Sequence, residues 1–159
     1  PYARPVEERF ERQARNEALM RAVNEQIAEL SESASGWADP DHQETPAAWK
    51  NLSLPLLKDS VYQYTLRVLN YLKSKNLTPE MVQVGNENNN GILWPTGKVS
   101  GNDFNAFAQL LNSGIKAVRD FSATSSIKPK IILHVAQIQF ADFWTKGITQ
   151  NGVTDFDIL

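Results

Sequence analysis

The chain has 159 residues, which is the size of one ordinary domain and enough to bury a hydrophobic core. It contains no cysteine, which excludes disulfides, zinc–thiolate sites and thiol catalysis. The formal net charge of -2 gives no electrostatic basis for binding nucleic acid or an anionic membrane, and we expect neither partner. No apolar run approaches the ~20 residues that span a bilayer. The sequence does not open on a basic stretch followed by an apolar one, so no signal peptide is expected in this chain.

The composition changes near Gly36. Residues 1–35 contain five Arg and no Lys, whereas residues 36–159 contain nine Lys and two Arg. We therefore divide the chain at this point into a helical N-terminal segment, with a helix predicted from about Val6 to Leu30, and the unit that follows. The segment is either a helix that docks on that unit or a sequence of foreign origin, and composition leaves both alternatives open.

After a polar loop over residues 37–51, the sequence alternates between helix and strand. Apolar residues at helical spacing predict helices over about residues 56–72, 104–118 and 140–148. Short apolar runs predict strands at residues 81–85, 131–135 and 155–159. The second helix is expected to begin at Asn102 or Asp103, since both are good N-cap residues. This alternation predicts an α/β fold with a parallel sheet.

Candidate functional residues follow the predicted strands, because parallel α/β folds collect functional groups at the carboxyl ends of strands. Asn86 and Glu87 follow the first strand, His134 ends the second, and Asp157 lies in the third. A carboxylic acid beside an amide suits proton transfer to a leaving oxygen, with the amide binding a substrate hydroxyl. The structural alternatives are a common Gly–Asn turn and a hydrogen-bonded histidine at the edge of a sheet.

Several tryptophans lie between the predicted strands. Trp37, Trp94 and Trp144 are candidate sugar contacts, because an indole can stack on the apolar face of a pyranose. For Trp94 the alternative is a side chain that plugs its own loop. The oxygen-rich turn over residues 39–42 has too few ligands for a calcium site, and we assign neither a metal nor a cofactor.

The order and spacing of several short motifs over residues 37–159 carry a family resemblance. The motifs are Trp37-Ala38-Asp39-Pro40, Thr45-Pro46, Trp49-Lys50-Asn51-Leu52, Val82-Gln83-Val84-Gly85-Asn86-Glu87, Asn89-Asn90-Gly91, Leu93-Trp94-Pro95 and Gly114-Ile115-Lys116-Ala117-Val118-Arg119. In these motifs the chain resembles the arabinogalactan endo-β-1,4-galactanases, glycosyl hydrolase family 53. The resemblance does not include residues 1–35.

The resemblance implies a (β/α)8 TIM barrel, of which residues 36–159 would supply about strands four to six. It also implies an enzyme without a cofactor that cleaves internal β-1,4 links of galactan or arabinogalactan with retention. Such enzymes are secreted or periplasmic. The partner of the chain would accordingly be a polysaccharide.

The resemblance also implies roles for individual residues. Glu87 would be the general acid/base, and Asn86 would contact the sugar 2-hydroxyl and the nucleophile. The remaining residues would bind substrate from loops that face the same cleft: Trp94, His134, Trp37 and Asp39.

The chain departs from the family pattern in three places. Asn88 stands where the family usually has an aliphatic residue. The upstream strand that carries Asp, His and Tyr in the family is replaced by residues 32–36, and the nucleophilic Glu of the family would lie beyond Leu159. A retaining glycosidase needs two carboxyl groups ~5–5.5 Å apart. Because Glu87 is the one that we identify, we expect that the chain as given does not turn over galactan efficiently.

Two other functions remain as alternatives. The first is a non-catalytic galactan-binding piece, which would keep Asn86, Trp94 and His134 without the nucleophile. The second is an interaction protein that works through the helix from Val6 to Leu30, whose apolar stripe is not a clean heptad.

Overall fold

The computed structural model describes residues 41–159 together with Glu11 and Ala14. After a short 3-10 helix at Ala47–Trp49, the elements are helix α1 (Leu54–Ser74), strand β1 (Met81–Gln83), helix α2 (Asn105–Thr124), strand β2 (Lys130–Ile132) and helix α3 (Ile138–Gln150). The predicted helix from Val6 to Leu30 lies outside the described residues except at Glu11 and Ala14, which are helical and exposed. Among the described helices, none combines the length and the apolarity needed to cross a bilayer.

The two strands pair in parallel, with Val82 opposite Ile131. The third predicted strand is shorter than expected and forms a single parallel bridge between Ile158 and Ile132. Two backbone bonds support that bridge, from the Leu133 N–H to the Ile158 carbonyl at 3.0 Å and from the Ile158 N–H to the Ile131 carbonyl at 3.1 Å. The spatial order therefore follows the chain order, as expected for strands joined by helical crossovers. The predicted α/β alternation with a parallel sheet is confirmed.

Helix α2 contributes more buried residues to the core than either of the other two helices. It packs against α1 on one side and lies close to the end of β1 on the other. The close approach depends on Gly114, where an added Cβ would lie 2.7 Å from Val84 Cγ1. The main core consists of apolar side chains from α1, α2, β2 and α3 and from residues beside these elements, such as Val84 directly after β1. Its largest members are Trp144, Phe104, Phe107, Phe121, Leu111, Ile131, Leu133 and Ile148.

Helix α2 begins two or three residues after the predicted start at Asn102 or Asp103, and it extends to Thr124, beyond the predicted end near residue 118. The helix begins at Asn105, and the Asp103 side chain accepts a hydrogen bond from the Asn105 N–H at 3.0 Å. Asp103 thus satisfies a free N–H group of the first turn from outside the helix.

Trp144 is a core residue and not a sugar contact. It is 1% exposed, and its ring lies 5.9 Å from that of Phe107. The prediction that Trp144 stacks on a sugar is therefore wrong. It lies inside α3, where helical periodicity turns its indole toward the core.

Candidate active site

A turn of unusual backbone conformation follows β1. The Val84 N–H donates to the Ile132 carbonyl at 3.0 Å, and the ladder stops there. Gly85 and Glu87 both have left-handed backbones, with φ of 82° and 46°. Glycine adopts this region freely, but a glutamate adopts it rarely and only where surrounding bonds hold it. The conformation of Glu87 is therefore set by its tertiary contacts.

Those contacts come from His134, just beyond β2. The Glu87 N–H donates to His134 Nδ1 at 3.3 Å, and the Asn88 N–H donates to the His134 carbonyl at 3.0 Å. Because Nδ1 accepts a hydrogen bond, the neutral imidazole carries its proton on Nε2 and can donate from there. Both side chains are half-buried, and within the described part of the chain the Glu87 carboxylate makes no hydrogen bond. The structure thus brings together two residues that the sequence singled out separately.

Asn86 is exposed beside Glu87, and its two oxygens already accept hydrogen bonds. Its Oδ1 accepts from Gln83 Nε2 at 3.2 Å, and its backbone carbonyl accepts from Gln43 Nε2 at 2.9 Å. The side-chain Nδ2 of Asn86 makes no hydrogen bond with residues 41–159. Asn86 therefore keeps its Nδ2 group available as a hydrogen-bond donor.

Trp94 is half-buried and held by residues 43–45. Its N–H donates to the Gln43 carbonyl at 2.8 Å, and its own carbonyl accepts from Thr45 Oγ1 at 2.8 Å. The indole N–H donates to the Asn90 carbonyl at 3.0 Å, and Lys98 Nζ lies 4.2 Å from the ring centroid. The lysine covers one face of the indole by a cation–π contact, so a sugar would use the opposite face.

Gln43 is a residue that the sequence analysis missed. It is 3% exposed, has a left-handed backbone with φ of 43°, and binds both Asn86 and Trp94. No periodicity or motif distinguished it from its polar neighbours. Its burial depends on contacts with residues more than forty positions away, which only the folded chain supplies.

Asp157, in contrast, lies away from this turn. Its Oδ2 accepts from the Ile131 N–H at 2.8 Å and pairs with the Arg119 guanidinium at 3.0 Å, at the amino end of β2. The Ile131 N–H and then Arg119 lower the pKa of this carboxyl, because both stabilise its charged form. Asp157 therefore serves the packing of β2 against α2.

The predicted contacts Trp37 and Asp39 lie outside the described residues. In residues 41–159 there is no group of three His, Asp or Glu side chains that could hold a metal ion. The described site offers a half-buried carboxyl group, an amide donor, an imidazole N–H and an indole face. This combination suits proton transfer on a ligand rich in hydroxyl groups.

Comparison with known proteins gives consistent matches. The family model for glycosyl hydrolase family 53 matches residues 17–159. The arabinogalactan endo-β-1,4-galactanase of Cellvibrio japonicus is 37% identical over 126 residues, covering 77% of this chain and 34% of that protein. A probable arabinogalactan endo-β-1,4-galactanase A of Aspergillus flavus is 41% identical over 99 residues, covering 62% of this chain and 27% of its own length. The solved GH53 catalytic domain of Ignisphaera aggregans is 39% identical with a TM-score of 0.66, covering 77% of this chain and 33% of that domain.

These matches confirm the resemblance read from the motifs. The chain spans about a third of the length of the relatives, 34% for the Cellvibrio japonicus enzyme. The family-model match begins at residue 17, upstream of the first motif at residue 37. The expectation that the resemblance does not include residues 1–35 is therefore wrong for residues 17–35.

Proposed function

The chain belongs to glycosyl hydrolase family 53, and we propose that it forms part of a secreted or periplasmic enzyme that hydrolyses internal β-1,4 links of galactan or arabinogalactan with retention. The names of its relatives support this substrate. The observation that carries the proposal is the hydrogen bond from the Glu87 backbone N–H to His134 Nδ1, which places the two residues together at the carboxyl ends of two parallel strands. In this proposal β1, β2 and the bridge at Ile158 correspond to strands four, five and six of a (β/α)8 barrel.

Glu87 is assigned as the general acid/base. In the first step its carboxylic acid gives a proton to the glycosidic oxygen while the bond from that oxygen to the anomeric carbon breaks. A second carboxylate bonds to the anomeric carbon in the same step. In the second step the Glu87 carboxylate removes a proton from water, which displaces the second carboxylate. The half-buried position and the absence of a hydrogen bond from the described residues leave the Glu87 carboxyl available for both transfers.

The neighbouring polar groups are assigned to substrate binding. Asn86 would donate from Nδ2 to the sugar 2-hydroxyl, because its Oδ1 is already bonded to Gln83. His134 would donate from Nε2, because Nδ1 is bonded to the Glu87 N–H. Trp94 would stack on a galactose ring with the face that Lys98 leaves open. Trp37 and Asp39 complete the proposed set by resemblance alone.

The second carboxylate is not assigned within this chain. Retention requires it to lie ~5–5.5 Å from the Glu87 carboxyl group. For the 159 residues by themselves we therefore expect binding of galactan without efficient turnover. Efficient release of reducing ends by this chain, abolished by Glu87→Gln, would contradict that expectation.

The catalytic role of Glu87 is tested in a complete barrel. Residues 41–159 would replace the matching third of the Cellvibrio japonicus enzyme, with galactan hydrolysis as the measurement. We expect Glu87→Gln to lower kcat by about 10²–10⁴, the usual contribution of a general acid/base. Glu80→Gln is the matched control, because Glu80 is exposed immediately before β1, at the opposite end from Glu87. Equal activities of the two variants would refute the assignment.

A binding role without catalysis is the second candidate function. It is favoured by the exposed Asn86 and the half-buried Trp94, which need no second carboxylate to contact a sugar. Affinity electrophoresis in galactan gels should show retardation of the chain, and Trp94→Ala should remove it. An interaction role through residues 1–35 would instead require that a peptide of this segment becomes more helical as its concentration rises.

A further inference from the structure

Three consecutive residues after β1 bind the segment that follows β2. Glu87 and Asn88 both donate their N–H groups to His134, to Nδ1 and to the backbone carbonyl. Asn89 binds Ala136 through its side chain. The regular ladder between the strands has already ended at this point, so these bonds hold the two segments together where strand pairing no longer does.

The Asn89 contact is a paired one. Its Nδ2 donates to the Ala136 carbonyl at 2.8 Å, and its Oδ1 accepts from the Ala136 N–H at 2.8 Å. A side-chain amide that bonds both backbone groups of one residue takes the place of a neighbouring strand. The pair fixes both the distance and the rotation of the Asn89 side chain relative to the His134–Ala136 backbone.

Asn88 anchors the same turn from beneath. It is 0% exposed, and its Nδ2 donates to the Val84 carbonyl at 3.2 Å, while its backbone carbonyl accepts from the Trp144 indole N–H at 2.7 Å. The amide fills the space under Gly85, where an added Cβ would lie 2.2 Å from Nδ2. Asn88 therefore fixes the distance between the turn and the core. Asn89 fixes the distance between the turn and the end of β2.

We propose that Asn89 is a positioning residue, which sets the separation of Glu87 and His134 by clamping their two segments together, with Asn88 as the support beneath it. The proposal rests on the proposed function only in taking Glu87 as the acid/base. It assigns to Asn89 no contact with substrate. Its consequence is that loss of the Asn89–Ala136 pair loosens the hydrogen bond from the Glu87 N–H to His134 Nδ1, while the core stays in place.

The test uses NMR on the whole 159-residue chain without substrate. The measurements are hydrogen exchange of the Glu87 amide and the ¹⁵N shift of His134 Nδ1, with the buried α2 residue Leu111 as the internal reference for global opening. Asn89→Ala removes both bonds to Ala136. Asn89→Asp keeps the shape but replaces the donor to the Ala136 carbonyl by an oxygen. Asn90→Asp is the matched control, because Asn90 is exposed and its described bonds use only its backbone carbonyl.

We expect both Asn89 variants to accelerate exchange at Glu87 by about tenfold over Asn90→Asp and to move the His134 Nδ1 resonance, with Leu111 unchanged. If Glu87 exchange and the His134 Nδ1 resonance in Asn89→Asp match the wild type, the proposal is overturned. That result would show that the Asn89 side chain only fills space, because Asp has nearly the same shape. A uniform acceleration at Glu87 and Leu111 would also overturn it, since it would show general destabilisation. Because no substrate is present, failure of the galactanase assignment would leave this result unaffected.

Discussion

The two ends of the small parallel sheet are built differently. At the carboxyl ends of β1 and β2, the turn at residues 85–89 has left-handed backbones and is held by amide side chains that bind backbone groups. At the amino end of β2, Arg119 pairs with Asp155 and Asp157, and Asp157 caps the Ile131 N–H. The first end holds half-buried polar groups in place, whereas the second joins α2 to the sheet through partly exposed charges. In barrel folds the same division separates catalytic residues from residues that serve stability.

The difference separates the end of the sheet that we propose to be functional from the other end by physical features. Partly exposed ion pairs contribute little to stability, because water and salt screen them. A buried amide and a left-handed glutamate both have an energetic cost, so they persist only where other contacts fix them. The cost at the carboxyl ends is offset by the core beneath, through the bond from Trp144 to the Asn88 carbonyl.

The largest expected loss of stability comes from a substitution in the core beneath both ends of the sheet. Phe107 is 1% exposed and packs on Phe104 and Trp144. Phe107→Ala should lower the free energy of unfolding by about 3–5 kcal/mol, because it leaves a cavity. Phe140→Ala, at an exposed position of α3, should change it by about 0.5 kcal/mol or less. Urea unfolding of the two variants measures both values, and similar losses would mean that the core does not support both ends.

The next largest effect concerns Gly85 in the turn after β1. A second glycine with a left-handed backbone serves as the control for backbone strain. Gly85 and Gly152 have nearly the same φ, 82° and 85°, but only at Gly85 would a Cβ meet another side chain. Both alanine variants carry backbone strain, and Gly85→Ala adds a clash with the buried Asn88 amide. Its loss of unfolding free energy should exceed that of Gly152→Ala by about 1–3 kcal/mol. Equal losses in urea unfolding would show that the Asn88 amide moves aside without cost.

A smaller effect tests the link between the core and the turn. Trp144→Phe keeps an aromatic ring in the core but removes the donor to the Asn88 carbonyl. The control is Trp49→Phe, because the Trp49 indole N–H donates no hydrogen bond within the described residues. The Asn88 carbonyl keeps its hydrogen bond from the Gly91 N–H at 3.1 Å, so it is not left unpaired. The loss of stability in Trp144→Phe should therefore be larger by about 0.5–1.5 kcal/mol, the net contribution of one hydrogen bond. Equal losses of stability in Trp144→Phe and Trp49→Phe, measured by thermal or urea unfolding, would contradict the proposed link.

The smallest effect lies at the amino end of β2 and depends on pH. The pKa of Asp157 is lowered in the folded chain, chiefly by the Ile131 N–H, so its contribution to stability is present above the unfolded pKa of about 3.9 and is lost as the pH falls through the lower folded value. The stability difference between the wild type and Asp157→Asn should therefore shrink below about pH 4. Thr154→Ser, an exposed change without a titratable group, should show a constant difference across the same pH series.

Much of the fold was predictable because it depends on short-range patterns. The spacing of apolar residues located α1, and the apolar runs located both strands, since a helix or strand must turn its apolar side chains to one core. The third strand was less predictable. Its apolar run was read as a full strand, but only Ile158 pairs, because the extent of pairing depends on the neighbouring strand.

The candidate site was predictable in its residue types and not in its contacts. A strand followed by Gly85, Asn86 and Glu87 indicated a carboxylate at the end of a strand, and the family motif singled out the same residue. The polar residues 88–90 read equally well as an ordinary turn. The sequence contains no sign that Asn88 is fully buried or that Gln43 contacts both Asn86 and Trp94.

By itself, the sequence determined helices α1 to α3, strands β1 and β2, the absence of thiol chemistry in this chain and the membership of a glycoside hydrolase family. These properties follow from periodicity, composition and motifs, which are local in the chain. Only the tertiary structure decided that Glu87 lies against His134, 47 residues away, and that Asn89 joins their segments. The register of two parallel strands sets that pairing, and register is established only when the strands pack together.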